Sequence, residues 1–273
     1  MTNLHRTMNH VLLLLFAFFA LYPLVNLLFI AINSPRSLQT GLGWPDQPRF
    51  SNFIDAWNLG GFRSAFVGSF LIAVAVVIAA GVLSTLAGYA FGTMEFRGRE
   101  ALFVFFVVGL IIPMESIVVP LYYDLLHFDL VDTYWSVILP QVAVSIAFGT
   151  FWMRTFFLSS PRSLIEAARI DGASHIQVLM RVLLPSARPA LQTMGVLLFM
   201  GSFNDFLLPL VMLQGDESAR TVPLAVYTFI GHREIEVNLL AAGGIIATLP
   251  VVVIYLFAQR NFIQGMMTGA VKE

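Results

Sequence analysis

The sequence contains no cysteine, and among its 273 residues there is one lysine, Lys272. Without cysteine there are no disulfides, thiolate metal sites or cysteine nucleophiles. A P-loop needs a lysine to reach the β- and γ-phosphates of a nucleotide. Lys272 stands in a C-terminal tail with no glycine-rich loop before it, so a standard ATP site is excluded from this chain. Charge of either sign is scarce, at 11% of residues, which is too little to cover the surface of a soluble fold. The histidines, His5, His10, His127, His175 and His232, have no close spacing that suits a metal and are expected at the surface or at interfaces.

What the sequence has is apolar length. It is 58% hydrophobic with 25 Phe. A membrane span needs ~20 predominantly apolar residues, and six such runs are present, at 11–32, 65–91, 101–126, 133–158, 190–213 and 238–257. None alternates with the period of a barrel strand, and lipid offers the backbone no hydrogen-bond partners, so all six are expected to be helices. The expected fold is therefore an all-α integral membrane protein with six transmembrane helices. The N-terminal MTNLHRTMNH has the charge of a signal-peptide leader, but the apolar run after it is as long as a span. Asn33, Ser34, Pro35 and Arg36 follow it in place of a small-residue cleavage site, so an uncleaved signal anchor is expected.

Orientation follows from the retention of Lys and Arg on the cytoplasmic side. With the N-terminus inside, that side holds Arg6, Arg97, Arg99, Arg154, Arg162, Arg169, Arg181, Arg188, Arg260 and Lys272. The other side holds Arg36, Arg49, Arg63, Arg220 and Arg233, and an outer loop flanked by Asp124, Asp129 and Asp132 has no basic residue. Both termini are expected in the cytoplasm, as is the polar insert EAARIDGASHIQVLMRVLLPSARP at 166–189.

Two short helices can be written across the insert. The first begins near Pro161, either through a Ser163/Glu166 capping box or with Pro161 at its first position after Ser160. Ala167 and Ala168 leave one side of it thin, and Gly172 supplies the ending turn. The second begins at a Ser174/Gln177 capping box, places Ile176, Leu179, Met180 and Leu183 at amphipathic spacing, and is expected to end at Pro185. Residue types alone leave two uses open: a hairpin lying in the membrane interface, or a docking surface for a protein.

The order of residues favours docking. The run Glu166, Ala167, Ala168, then Asp171, Gly172, Ala173, then Leu183, Leu184, Pro185 and Pro189, resembles the EAA loop of ATP-binding-cassette importer permeases. IIPMESIVVPLYYDLL at 111–126, FNDFLLPLVML at 203–213 and QRNFIQGMMTGAVKE at 259–273 extend the resemblance to the maltose-type carbohydrate-uptake branch. That family implies the type I ABC importer permease fold, a single transmembrane domain over 1–273 with cytoplasmic coupling helices at 159–189. It also implies partners: a second homologous permease, nucleotide-binding ATPase subunits carrying ATP and Mg, and an extracytoplasmic solute-binding protein. The setting would be the cytoplasmic membrane of a prokaryote, in contact with lipid and with no nucleic acid. Cargo would be an oligosaccharide, sugar alcohol or glycerol phosphate moved by alternating access. Glu166, Ala167, Ala168, Arg169, Asp171, Gly172 and Pro185 would couple to the ATPase, with Glu166 alternatively only a helix cap. The tail departs from the family's usual final glycine, because Glu273 stands there.

Polar residues within spans mark the face turned to protein or water. Glu115, between Pro113 and Pro120, together with Asn204 and Asp205, are pathway candidates on that ground. Helix-to-helix hydrogen bonding is the plainer alternative. Tyr122, Tyr123 and Trp135 suit sugar stacking or an interfacial aromatic belt equally. The outer loop at 33–64, long and irregular with Trp44 and Trp57, is suited to an external binding protein or to packing on a second permease. Two rival classes predict other features. An ion-coupled secondary transporter should show internal repeats and a midplane ion site. A membrane enzyme should show clustered metal ligands or a nucleophile with its base. Neither pattern is evident, and a secondary transporter would leave the EAA loop without a role.

Overall fold

The computed structural model describes residues 3–34, 43–215, 219–230 and 236–270. Arg36, His232, Arg233, Lys272 and Glu273 lie outside the described residues. In chain order the helices are α1 (Asn3–Ala31), α2 (Ser51–Leu59), α3 (Phe62–Thr93), α4 (Arg99–Val108), α5 (Met114–His127), α6 (Tyr134–Ser159), α7 (Arg162–Ile170), α8 (His175–Gln177), a π-helix (Val178–Leu183), α9 (Leu184–Phe203), α10 (Leu207–Met212), α11 (Val222–Tyr227) and α12 (Val237–Ala270).

Among the described residues, five helical stretches are long and apolar enough to cross a bilayer: Thr7–Ala31, Phe62–Thr93, Tyr134–Ser159, His175–Phe203 and Val237–Phe257. The remaining apolar run, at 101–126, is helical in two pieces. α4 ends at Gly109, two tight turns follow through Leu110 and Ile111, and Pro113 takes an extended conformation with ψ of 134° as the residue before α5. Proline has no amide to continue the ladder, and glycine gives the chain freedom to turn. At 1.5 Å per residue the two helices are only ~15 and ~21 Å long, so neither spans ~30 Å alone. The run at 190–213 is also reshaped: α9 closes at Phe203, Asn204 caps its C-terminal end, and the chain turns through Asp205 and Phe206 before α10.

The chain forms two compact units. The first comprises 1–63 and 223–249. The segment 33–64 is not irregular throughout, since α2 lies within it. Asn52 of α2 is buried and its amide donates to the carbonyls of Ala31 and Asn33 at 2.8 and 2.9 Å. Trp57 stacks on Phe62, with ring centroids 6.0 Å apart.

The second unit comprises 64–222 and 250–273. Here α3 and α6 approach closely because glycines replace side chains at the crossing. A Cβ on Gly88 would stand 2.6 Å from the Cβ of Met153, and one on Gly92 would stand 2.8 Å from the Cβ of Phe157. The two glycines are four residues apart and face two residues four apart, the small-residue arrangement by which membrane helices gain packing without a hydrophobic driving force. Trp152 of α6 donates its indole N–H to the carbonyl of Ala190 at 3.0 Å, fixing α6 to α9.

Candidate coupling surface and polar cavity

The polar insert is a compact helix, turn, helix. α7 starts at Arg162, one residue after the position expected for its first turn, with Pro161 as an uncapped entry residue. The Ser163/Glu166 box does not form. α7 ends in a complete Schellman motif: the amide of Ala173 donates to Ala168 O at 2.9 Å, the amide of Gly172 donates to Arg169 O at 3.0 Å, and Gly172 has φ of +80°. Such a positive φ favours glycine, with asparagine the next most tolerant residue. Across the turn the Ser174/Gln177 capping box is present in full, with the Ser174 amide donating to Gln177 Oε1 at 2.8 Å.

Pro185 does not end the second helix. The stretch continues as α8, π-helix and α9 from His175 to Phe203. The amide of Leu184 reaches back five residues to Leu179 O, so the turn before Pro185 is wider than an α-turn. The bond that proline lacks, and the steric clash it usually causes four residues back, are absorbed by that widening. The same geometry splits the expected apolar face. Val178, Leu179 and Leu183 are buried, while Ile176 and Met180 are 67% and 58% exposed. With Ile170 at 86% exposure and Leu164 at 50%, the insert presents large apolar side chains outward from a segment rich in polar residues.

Beside these stand charged groups with free valence. The Glu166 carboxylate is exposed and has no hydrogen bond or ion pair among the described residues. It lines, with Glu95, Arg99, Arg162, Arg169 and His175, a cleft of about 520 Å³. Ala167 and Asp171 are exposed, and Ala168 is half-buried against the core that holds Ile165 and Val178. Arg154 of α6 anchors the neighbouring α4. Its Nη2 donates to both carboxylate oxygens of Glu100 at 2.9 and 2.8 Å, its Nε donates to Phe91 O at 3.3 Å, and the guanidinium sits 3.9 Å from the Phe103 ring centroid. Because the Glu100 side chain is 61% exposed, solvent screening leaves the pair worth about 0–1 kcal/mol.

A second polar region lies between α5, α6, α9 and α10. A cavity of about 510 Å³ is lined by both Glu115 and Asp205. Gln141 of α6 is buried and donates its amide to Asp205 Oδ2 at 2.7 Å, while its carbonyl accepts from the Ser202 hydroxyl. The amide of Leu207 donates to Asp205 Oδ1 at 3.1 Å. Asp205 is thus held in one orientation by two elements, α6 through Gln141 and the start of α10 through Leu207, with Ser202 of α9 in turn bonding Gln141. Glu115 sits in the first turn of α5, where the helix N-terminus favours a negative charge, and is exposed to the cavity.

Residues 84–268 match the family described as binding-protein-dependent transport system inner membrane components. The chain belongs to that family. It is an ABC importer permease, and the matched stretch contains the whole insert and every residue that lines the cavity. A permease of the arabinooligosaccharide transport system of Halalkalibacterium halodurans is 32% identical over 94% of this chain and 92% of its own length. A permease of the trehalose transport system of Mycobacterium tuberculosis is 31% identical, covering 93% of each chain. Among solved structures, a bacterial ABC transporter that imports the acidic polysaccharide alginate matches with a TM-score of 0.78 at 22% identity, over 95% of this chain and 96% of that one. That likeness confirms the all-helical permease fold. The relatives are named as permease proteins of transport systems, so the chain is a transport subunit and not an enzyme.

The permease brings together some of the residues that sequence alone singled out. Glu115 and Asp205 share one cavity, whereas Asn204 is turned to the outside, with its amide donating to Met200 O at 2.9 Å. Tyr122 does not line the cavity; its ring packs edge-on against Tyr123 at 5.7 Å. Glu115 stands at the head of a helix and not in the middle of one, because the break at Pro113 starts α5 there. Gln141, Ser145 and Ser202 line the same cavity and were not singled out by sequence reasoning. The signal for Gln141 was present, as an uncharged amide directly after Pro140 inside an apolar run.

Proposed function

We propose that this permease is one of two membrane subunits of an ATP-driven importer for a small carbohydrate, moved across the cytoplasmic membrane by alternating access. A second homologous permease would complete the route. Separate ATPase subunits would bind ATP and Mg, and a solute-binding protein would deliver cargo from outside. Both termini and the insert would face the cytoplasm, where the arginines are concentrated.

The observation that carries this reading is the insert itself. Its inward side is packed, while Ile170, Ile176 and Met180 project outward beside an unengaged Glu166. Exposed apolar side chains grouped on a polar segment suit a site where another protein docks. For ATP to bias transport, that docking must differ in free energy between the two states of the ATPase. The chain has no P-loop of its own, which supports hydrolysis on a partner. Glu166, Ala167, Ala168, Arg169, Asp171 and Gly172 would form the coupling surface, with Pro185 at the junction to α9. The carbohydrate assignment is supported by relatives whose names give arabinooligosaccharides, maltodextrin and trehalose as cargo.

The test is co-purification from native membranes, wild type against Ile176→Asp. Wild type is expected to retain a P-loop ATPase and a second EAA-containing permease, and the variant to retain the permease while losing the ATPase. Wild type without ATPase, under conditions that keep the two permeases together, would replace this reading with ion-coupled transport.

A further inference from the structure

We propose that the cavity lined by Glu115, Gln141, Ser145, Phe148, Ser202 and Asp205 is a hydroxyl-recognising site that accepts neutral polyhydroxy cargo and rejects anions. The inference rests on the carbohydrate-import reading above and narrows its cargo, excluding glycerol phosphates and uronic-acid oligosaccharides.

Three features of the lining carry it. First, the ionisable groups on the cavity wall are two carboxylates, with no Lys, Arg or His among the described residues that line it. A sugar hydroxyl donates to a carboxylate in a charge-assisted bond, whereas a phosphate or uronate would meet like charge with no counter-ion to offset it.

Second, the acceptors are positioned before any cargo arrives. Asp205 is oriented by Gln141 through Oδ2 and by the Leu207 amide through Oδ1. A carboxylate oxygen accepts more than one hydrogen bond, so each retains capacity for a hydroxyl. Glu115 makes no hydrogen bond or ion pair among the described residues and has all its acceptor capacity free.

Third, the remaining surface suits a sugar ring. Ser145 adds a hydroxyl that donates or accepts, Ser202, whose proton is given to Gln141, adds an acceptor, and Phe148 adds an aromatic ring. The ring is held by Trp152, with centroids 6.2 Å apart, and Trp152 is itself anchored to Ala190. A volume of about 510 Å³ falls within the ~300–1,000 Å³ range of small-ligand sites.

The test uses the complete importer in nanodiscs, titrated without its binding protein so that this cavity is the site read. The probes are maltotriose, trehalose and diacetylchitobiose as neutral saccharides, and alginate trisaccharide as an anionic one. At least one neutral probe is expected to bind, and alginate trisaccharide to bind about tenfold more weakly or less. Glu115→Gln and Asp205→Asn should each weaken the neutral probe by about tenfold, the loss of one charge-assisted bond. Glu115→Gln should also narrow the gap to the anionic probe. Since Glu115 has no partner to lose among the described residues, that variant keeps the test open if Asp205→Asn fails to assemble.

Alginate trisaccharide binding as tightly as the neutral probes, or neutral binding unchanged in both variants, would overturn the inference and leave the importer reading standing. If no neutral probe binds, and proteoliposomes with the binding protein and ATP take up none of them, the carbohydrate reading fails and this inference falls with it.

Discussion

The hydroxyl of Tyr89, on α3, lies 3.4 Å from Nδ1 of His175, the first residue of the insert's second helix. Arg169 Nη2, from the insert's first helix, lies 3.4 Å from the same nitrogen. Arginine only donates and a tyrosine hydroxyl can donate, so both contacts suit Nδ1 as their common acceptor. A membrane helix and both helices of the insert therefore meet at one imidazole. Tyr89→Phe removes this link while keeping the ring, whose packing on Phe157 at 5.9 Å is undisturbed. The variant is expected to lose ~0.5–1.5 kcal/mol and to hydrolyse more ATP per molecule of cargo moved. The ratio of cargo uptake to phosphate release in proteoliposomes checks this; an unchanged ratio removes Tyr89 from the coupling path.

Glu166 separates folding from docking. Because its carboxylate caps nothing and pairs with nothing among the described residues, Glu166→Ala should leave the melting midpoint within about 0.5 kcal/mol of wild type. Binding of the purified ATPase should nevertheless weaken several-fold. A melting shift much larger than this would show that Glu166 supports the insert itself.

Gly172 should be sensitive to backbone conformation alone. Its φ is +80°, yet an added Cβ would meet nothing within 4 Å. Gly172→Asn, which visits the left-handed region readily, is expected to behave nearly as wild type. Gly172→Val should cost ~1–2 kcal/mol, speeding amide exchange at positions 172 and 173 roughly 5- to 30-fold. Equal exchange in the two variants would contradict the Schellman turn.

Gly88 is the opposite case. A Cβ there would stand 2.9 Å from the backbone nitrogen of Arg154 as well as against Met153, so α3 and α6 must separate to admit it. Gly88→Ala should lower stability by ~1–3 kcal/mol, as overpacking does. Gly195→Ala, whose Cβ would find Val77 Cγ1 at a comfortable 3.9 Å, should be near neutral. Melting of the two variants in detergent compares them directly.

Much of this was legible in the sequence where interactions are short-range. The Ser174/Gln177 box and the Gly172 turn involve residues three or four apart, and both form as their spacing predicts. Pro113 and Gly109 also carried their signal, although a run long enough to cross as one helix concealed that they divide it. Pro185 was misread because the rule that proline ends a helix assumes the turn before it is an α-turn, and here that turn is π. The Ser163/Glu166 box did not form, although its spacing was right, because the helix begins at Arg162.

The sequence by itself determined that the chain is helical and apolar enough for a membrane, that it lacks a P-loop, and that a polar insert interrupts its apolar runs. These follow from composition and from backbone hydrogen bonding that each segment satisfies internally. Only the tertiary structure decided that Glu115, Gln141 and Asp205 share one cavity, that Asn204 and Tyr122 do not, and that Ile176 and Met180 face outward. Those outcomes depend on the break before α5, the close crossing of α3 and α6 at glycines and the widened turn at the π-helix. Each sets the rotation of a helix about its own axis, and the packing of helices fixes that rotation against partners far away in sequence.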